Sequence, residues 1–205
     1  MSLIRWVFFD IGSTLMDEEK AYNHRIRDMI QGTHVTFEQF SRKRLQYAKQ
    51  SYNADQKAAE FFGLTKTPWH SEDEVPFDDC AQTLKTLCDK GYQLGIIANQ
   101  MPGVKARLDA WGLGKYFSVI AASAELGISK PDQEMFRQAL AMAGCKPEEA
   151  VMIGDRLDND IRPANELRMC TIQIRQGIMK YLSPSCVAET PVYTVNSLSE
   201  LLDIL

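Results

Sequence analysis

Four polar residues in this sequence follow short apolar runs of the kind that form buried β-strands. Asp10, Asn99 and Asp155 come directly after such runs, and Lys130 follows another at a short distance. If the runs are parallel strands of one open sheet, the four side chains lie at its carboxyl edge, where ligands bind. Two carboxylates suit a hard cation such as Mg²⁺, and a lysine offsets the charge of an anionic group. A carboxylate there can also be the nucleophile that accepts a phosphoryl group.

Strand-like and helix-like patterns alternate through the second half of the chain. This alternation predicts βαβ units around a doubly wound parallel sheet, which is an α/β fold class. The predicted strands are VFF at 7–9, YQLGIIAN at 92–99, FSVIAAS at 117–123, EAVMIGD at 149–155, CTIQIRQG at 170–177 and VYTV at 192–195. The predicted helices between and after them cover 77–92, 104–113, 132–144, 159–169 and 197–205. Asp132 is expected to cap the helix that Gly144 ends.

A helical stretch interrupts this alternation after the first strand. Charged and aromatic residues recur at helical spacing from about Met16 to Glu74, most clearly at 21–30, 37–50 and 55–64. We interpret this stretch as an inserted helical subdomain. Its aromatic residues are expected to form the core of the insert: Tyr22, Phe37, Phe40, Tyr47, Phe61 and Phe62.

Composition excludes several classes of protein. The chain has 205 residues, 45% of them hydrophobic, and a formal charge of -4, which indicates a packed globular protein. No block of Lys and Arg provides the electrostatic footprint of a nucleic-acid site. The apolar runs are too short to span a membrane, and Asp10 cuts the first of them, so we expect no signal peptide and a cytoplasmic location. Five cysteines without CxxC spacing are expected to be buried free thiols.

Four segments, in order, resemble the motifs of the haloacid dehalogenase superfamily. They are VFFDIGSTL, LGIIAN, GISKPDQEMF and VMIGDRLDND, and the likeness extends over nearly the whole predicted core. The resemblance implies a Rossmann-like core at 1–15 and 76–205, with a small helical cap at 16–75. It also implies a Mg²⁺-dependent phosphatase that acts on a small phosphorylated metabolite. We expect a monomer or a homodimer.

The resemblance assigns roles to individual residues. Asp10 would be the nucleophile that forms an aspartyl-phosphate, and Lys130 would tether both Asp10 and the phosphoryl group. Mg²⁺ would be bound by Asp10, Asp155 and the Gly12 carbonyl, and phosphate by the N–H groups of Ile11, Gly12 and Asn99. Thr14 would support the turn through a hydrogen bond. Asn159 and Asp160 would lie around the metal and orient Lys130 or water.

Two positions depart from the family pattern. The residue two past the nucleophile is Gly12, where family phosphatases have a second aspartate that protonates the leaving group. The residue before Asn99 is Ala98, where the family has Ser or Thr. General acid–base help contributes about 10² to 10⁴ in rate, so we expect a weakened phosphatase that prefers acyl or aryl phosphates. Asp17, Glu18 and Glu19 are normally solvated charge at a helix start, and replacement of the missing acid by one of them is left as an alternative.

Other functions stay open at this point. A catalytically weak protein that binds a phosphorylated ligand or a partner would also explain Gly12 and Ala98. Members that cleave carbon–halogen bonds lack the second aspartate but depart from the GDxxxND motif seen here. Members that cleave carbon–phosphorus bonds need a cap lysine, for which the candidates are Lys20, Lys43, Lys49, Lys57 and Lys66.

The three histidines do not have the spacing of metal ligands. His24, His34 and His70 are expected at surface or cap positions, and His24 is the one that could reach the site from the insert.

Overall fold

A computed structural model describes residues 4–50 and 52–205. The predicted core and cap ranges also include residues 1–3 and 51, which lie outside the described residues.

Six parallel strands form the central sheet and confirm the predicted α/β fold class. Their spatial order is β5-β4-β1-β6-β7-β8, so that β1 lies between β4 and β6. The strands are β1 Trp6–Phe9, β4 Gln93–Ala98, β5 Phe117–Ala122, β6 Ala150–Gly154, β7 Cys170–Ile174 and β8 Tyr193–Val195. Phe9 pairs in register with Ile96 on one side and Ile153 on the other. The carboxyl ends of these three strands therefore lie side by side.

Both faces of the sheet are buried under helices. Val7 and Phe9 belong to the hydrophobic cluster on one face, and Trp6 and Phe8 belong to the cluster on the other. This explains why the central strands are apolar without alternation. Gly95 is required for packing, since a Cβ there would lie 2.6 Å from the ring of Phe8.

The core helices are α4 Cys80–Asp89, α5 Val104–Ala110, α6 Ser123–Leu126, α7 Gln133–Ala143 and α8 Arg162–Glu166. The Asp132 side chain accepts from the N–H of Glu134, and Gly144 ends α7 with a φ of 61°, as predicted. Two predicted helices differ. The segment 159–169 starts as a wide turn over Leu157–Ile161 before α8, and the C-terminal helix is a 3-10 turn over Ser199–Asp203.

The insert lies between two short antiparallel strands. β2 Met16–Asp17 pairs with β3 Val75–Pro76, and the helices α1 Glu19–Ile30, α2 Phe37–Ala48 and α3 Ala54–Phe61 lie between them. These helices enclose a small core of their own. Its fully or nearly buried members are Ile26, Met29, Phe40, Ala58 and Ala59.

The aromatic residues of the insert follow the expected role only in part. Phe40 is fully buried, whereas the ring of Phe61 is 55% exposed and lies under the Lys43 ammonium at 3.8 Å. Tyr22 is outside this core as well. Its ring packs on Trp69, with centroids 4.8 Å apart, and faces a polar cavity at the edge of the sheet. Helical spacing identifies buried positions, but it does not separate a core contact from a cavity wall.

All five cysteines are free thiols, as expected, but of these only Cys80 is buried: Cys88, Cys145 and Cys170 are partly buried, and Cys186 is exposed. Within residues 4–50 and 52–205, no helix is both long and apolar enough to cross a membrane.

Two histidines and two carboxylates of the insert form a cluster at its surface. The imidazoles of His24 and His70 stack with centroids 3.5 Å apart. His70 Nε2 lies 2.6 Å from Asp28 Oδ2, and its Nδ1 lies 3.1 Å from Glu72 Oε1. His24, His70 and Glu72 each offer a ligand atom within 4.8 Å of the others, a convergence that spacing in the sequence does not reveal. Hydrogen bonds to Asp28 and Glu72 raise the pKa of His70 above its usual value.

This shift predicts how the insert responds to pH. A raised folded-state pKa stabilises the fold fully below the unfolded-state pKa of about 6.5, and the gain is lost as pH rises through the folded-state value. The unfolding midpoint of the parent should therefore exceed that of His70→Gln at pH 5.5, and the difference should shrink towards pH 9. Thermal unfolding followed by circular dichroism measures this difference. His34→Gln, at an exposed position between α1 and α2, is the control. A difference in unfolding midpoint between the parent and His70→Gln that does not change with pH would contradict the prediction.

Candidate active site

The polar residues predicted at the strand ends do converge. Asp10 follows β1, Asn99 follows β4 and Asp155 follows β6, and these three strands are neighbours in the sheet. Lys130 enters from the loop between α6 and α7. Parallel strands present their carboxyl ends at one edge, which is why positions far apart in the sequence meet here.

Lys130 is the centre of this cluster. Its Nζ donates to Asp10 Oδ1 at 2.6 Å and to Asp160 Oδ1 at 2.6 Å. The lysine side chain is 3% exposed and that of Asp160 is 1% exposed. Burial acts to lower the pKa of Lys130, but the charges of Asp10 and Asp160 outweigh it, and the pKa is raised. The ammonium therefore stays charged between two carboxylates.

Asn99 holds the lysine loop in place through a pair of hydrogen bonds. Its Nδ2 donates to the carbonyl of Lys130 at 2.9 Å, and its Oδ1 accepts from the N–H of the same residue at 2.7 Å. The Asn99 side chain thus positions Lys130, in addition to the role predicted for its backbone N–H.

Asp160 reaches the lysine because the chain after β6 makes a wide turn. Its Oδ2 accepts from the N–H of Arg156 at 3.0 Å, and its own N–H donates to the carbonyl of Arg156 at 2.9 Å. The carboxyl group packs directly against the Cα of Gly154, where an added Cβ would overlap it. The glycine of the GDxxxND motif is therefore needed to admit Asp160.

The negative charge of the carboxylates in this cluster exceeds the positive charge of Lys130. One oxygen from each of Asp10, Asp155 and Asp160 lies within 4.8 Å of the others. Burial first, and then the charges of Asp160 and Asp10, raise the pKa of Asp155 well above its usual value. Burial also raises the pKa of Asp160 to about 6, against the lowering effect of Lys130. A hard divalent cation would offset this surplus charge, so the donor set fits Mg²⁺.

The turn after Asp10 brings a residue of the insert into the cluster. Ser13, at a φ of 53°, donates from Oγ to Glu18 Oε2 at 2.8 Å. Burial, opposed by this hydrogen bond, raises the pKa of Glu18 to about 7, and the charges of Glu74, Asp10 and Asp55 add to the increase. Glu18 thus turns towards the cluster, whereas Asp17 and Glu19, its neighbours in the sequence, do not.

The neighbours of Glu18 point elsewhere. Asp17 Oδ1 accepts from the N–H of Glu19 at 2.9 Å, and Glu19 is exposed on α1. In the sequence, nothing distinguished Glu18 from these two.

A polar cavity of about 320 Å³ lies between the sheet edge and the insert. Among the described residues, the sheet side is lined by Asp10, Gly12, Ser13, Asn99, Gln100, Lys130, Asp155, Arg156, Asn159, Asp160, Ile178 and Met179. The insert contributes Glu18, Tyr22, Tyr52, Asn53, Asp55, Gln56 and Lys66. Sequence reasoning missed most of the insert side, because a wall formed from several helices and loops has no motif.

Two predicted residues lie outside this cavity. The side chain of Ile11 packs in the core, and Thr14 is fully buried. Among the described residues, Thr14 Oγ1 has no hydrogen-bond partner, so the predicted support of the turn by this hydroxyl is absent. The backbone closes the turn instead, since the N–H groups of Thr14, Leu15 and Met16 all donate to the carbonyl of Ile11.

The structure also places the insert residues that the sequence left open as candidates. His24 does not line the cavity among the described residues; its Nδ1 contacts Asp73 at 2.8 Å and its ring stacks on His70. Of the five lysines considered for a Schiff base, Lys66 alone lines the part of the cavity that the structure describes. Lys20 instead pairs with Asp73 at 2.6 Å.

Comparisons with known proteins agree with the motifs and the fold. The family described as haloacid dehalogenase-like hydrolase matches residues 7–174. A glyceraldehyde 3-phosphate phosphatase of Pyrococcus furiosus is 30% identical over 100% of this chain and 94% of that protein. One of Methanopyrus kandleri is 36% identical over 63% of this chain, and the match spans only 56% of that relative.

Among solved structures, an HAD phosphatase from Thermococcus onnurineus is similar in fold. Its TM-score is 0.67 at 24% identity, over 98% of this chain and 97% of that one. The family match covers most of this chain, and the motif residues of the chain lie together at one edge of the sheet. This chain therefore belongs to the haloacid dehalogenase-like hydrolases.

Proposed function

We propose that this protein hydrolyses small phosphate monoesters through an aspartyl-phosphate at Asp10. The observation that carries the proposal is the buried contact of Lys130 with both Asp10 and Asp160 at the edge of a polar cavity. A charged lysine between two carboxylates fixes Asp10 for attack and supplies positive charge where phosphate oxygens would lie.

Asp10, Asp155 and the backbone carbonyl of Gly12 would hold Mg²⁺ in this proposal. When bound, the cation would neutralise charge on the phosphoryl oxygens and on the carboxylates around it. Asp160 would keep Lys130 in place, and Asn159, which also lines the cavity, would lie at the outer side of the metal.

The reaction would proceed in two displacements at phosphorus. The Asp10 carboxylate attacks, the bond from phosphorus to the ester oxygen breaks, and the alkoxide leaves and takes up a proton from water or from an acid of the site to become the alcohol. Water then attacks the aspartyl-phosphate and releases phosphate and Asp10. Lys130 and the N–H groups of Ile11, Gly12 and Asn99 would stabilise the charge on the phosphoryl oxygens in both steps.

The helical insert would act as the cap that selects the substrate. We keep residues 16–75 as the cap and 1–15 with 76–205 as the core. Cap residues contribute one wall of a cavity of about 320 Å³, which suits a small polar ligand. Met179, which lines the cavity, packs against Ala48 and Ala54 of the insert, and this contact supports the assignment of the insert as a cap over the site. The names of the relatives make glyceraldehyde 3-phosphate the first substrate to test.

A second candidate function is the binding of a phosphorylated ligand without efficient turnover. Ala98 favours it, because the fully buried methyl group stands where the family has a hydroxyl for the phosphoryl group. A lost hydrogen bond to a charged group costs about 1.5 to 3 kcal/mol.

The first prediction of the proposal is that Asp10→Asn abolishes phosphatase activity. Glyceraldehyde 3-phosphate, an aryl phosphate and an acyl phosphate are assayed with Mg²⁺ and with EDTA, by release of inorganic phosphate. We expect turnover with Mg²⁺ only, and a loss of at least about 10³-fold in Asp10→Asn, because the nucleophile is gone.

Asp89→Asn, at an exposed position of α4, is the matched control and should keep full activity. Unchanged turnover in Asp10→Asn would exclude the covalent route. Binding of Mg²⁺ and of beryllium fluoride without turnover on any ester would favour the second function.

The second prediction concerns the surplus of negative charge. In metal-free buffer, Asp155→Asn should unfold a few degrees above the parent, because the amide removes a buried charge next to Asp10 and Asp160. Mg²⁺ should raise the unfolding midpoint of the parent, because a ligand that binds the folded state stabilises that state. It should raise the unfolding midpoint of Asp155→Asn only weakly. By calorimetry, the affinity for Mg²⁺ should fall at least about tenfold.

Asp132→Asn removes one charge from the neighbouring lysine loop and keeps the helix cap, so it should bind Mg²⁺ as the parent does. Equal Mg²⁺ affinity in the parent and in Asp155→Asn would refute the assignment of this cation site.

A further inference from the structure

We propose that Glu18 is the acid–base group of this site and stands in for the side chain that Gly12 lacks. The proposal rests on the phosphatase function proposed above. It adds a catalytic residue that comes from the start of the insert instead of from the turn that follows the nucleophile.

The first observation is that Glu18 occupies the space of the missing side chain. A Cβ placed on Gly12 would lie 2.7 Å from Glu18 Oε1 and 3.0 Å from Glu18 Cδ. The φ of Gly12 is outside the left-handed region, so its backbone does not require glycine. The glycine is therefore explained by the carboxyl group of Glu18, which a side chain at position 12 would displace.

A second observation is that Glu18 is held in this position. It directly precedes α1, and its side chain makes no capping hydrogen bond to the first turn of that helix. It accepts from Ser13 Oγ instead, at 2.8 Å. Ser13 has a left-handed φ of 53°, a conformation that is strained for serine.

Room for this serine comes from a second glycine. A Cβ on Gly177 would lie 2.6 Å from Ser13 Oγ. The φ of Gly177 is 59°, which favours glycine by itself, and the missing side chain also leaves room for the Ser13 hydroxyl that donates to Glu18. Ser13 is a positioning residue in this account.

Of the other acids that line the described part of the cavity, Asp10 and Asp155 are assigned above to the nucleophile and the cation, and Asp55 and Asp160 contact basic side chains. Asp55 pairs with Arg44, whose Nε lies 2.5 Å from its carboxylate. Asp17 accepts from the N–H of Glu19, and Asp160 binds Lys130. Glu18 has one oxygen bound by Ser13, and it lies next to the turn that leads away from the nucleophile.

The acid–base step balances as follows. As the Asp10 carboxylate bonds to phosphorus and the ester P–O bond breaks, Glu18 gives its proton to the departing alkoxide, which leaves as the alcohol. Glu18, now a carboxylate, takes a proton from the water that attacks the aspartyl-phosphate. The P–O bond to Asp10 breaks, and phosphate leaves with Asp10 ionised and Glu18 protonated again.

This role changes what is expected of the parent protein. The preference for acyl and aryl phosphates inferred from Gly12 alone becomes a property of variants that lack Glu18. With Glu18 in place, alkyl phosphates are substrates as well.

The test compares the dependence of kcat/KM on leaving-group pKa in the parent and in Glu18→Gln. A series of alkyl, aryl and acyl phosphates is used with Mg²⁺. We expect a shallow dependence in the parent. In Glu18→Gln, alkyl phosphates should lose about 10² to 10⁴-fold, and the loss should shrink towards acyl phosphates, whose leaving groups need no proton. Glu19→Gln, one residue on and exposed, should match the parent.

Two further variants test whether Glu18 occupies the place of the side chain that Gly12 lacks. Glu18→Ala opens the volume beside Gly12, so that Gly12→Asp combined with Glu18→Ala can place a carboxyl group there. Hydrolysis of alkyl phosphates should recover at least about tenfold from Glu18→Ala to the double variant. Equal alkyl rates in these two variants would contradict the proposal.

The remaining outcomes separate the two proposals. A loss in Glu18→Gln that is equal for all leaving groups, or no loss at all, would overturn the role of Glu18 while leaving Asp10 as the nucleophile. A parent that hydrolyses no member of the series, as inactive as Asp10→Asn, would overturn the phosphatase function and the role of Glu18 together.

Discussion

The burial of several carboxylates around one lysine is the constraint on which the rest of the site depends. Lys130 is 3% exposed at its side chain and contacts Asp10 and Asp160 at 2.6 Å each. In a buried cluster of this kind, loss of one partner leaves an uncompensated charge and costs about 3 to 5 kcal/mol. The surrounding structure must therefore hold each partner in place, and it does so from several elements.

Each of these elements has an identifiable physical role. Parallel pairing of β1 with β4 and β6 brings three strand ends together. Asn99 ties the lysine loop to the end of β4 with two hydrogen bonds, and Gly154 leaves room for Asp160. The remaining negative charge, expressed in the raised pKa of Asp155, is what makes the edge suited to a cation.

Much of the core could be predicted from the sequence because its signals are local and ordered. A strand that ends in a polar residue specifies both the strand and the edge at which the residue lies, so the positions of Asp10, Asn99 and Asp155 followed from the pattern. Lys130 was expected at the same edge because it follows a strand at a short distance, and the resemblance to a family motif added its role beside Asp10. The turn over Leu157–Ile161 could not be predicted. Its shape allows the side chain of Asp160 to reach Lys130, which is distant in the sequence.

The insert could be predicted as helical, but not in its details. Tyr22 and Phe61 have the spacing of core residues, yet one faces the cavity and the other is exposed. Thr14 is a polar residue in a chemically important turn, and it points into the core. Glu18 is one of three acids in a row, and the position of its carboxyl group depends on packing against Gly12 and on the hydrogen bond from Ser13, which in turn lies against Gly177. Side-chain direction at such junctions is decided by packing, which a single sequence does not contain.

The most direct test of this account is to trap the phosphoryl group on the protein. The Glu18→Gln variant is mixed with an acyl phosphate and Mg²⁺, quenched in acid within one turnover, and digested for peptide mass spectrometry. The account predicts a phosphoryl group on the peptide that contains Asp10, at higher occupancy than in the parent, because attack by water then lacks its base. Release of phosphate by both proteins with no phosphoryl group on that peptide would contradict it.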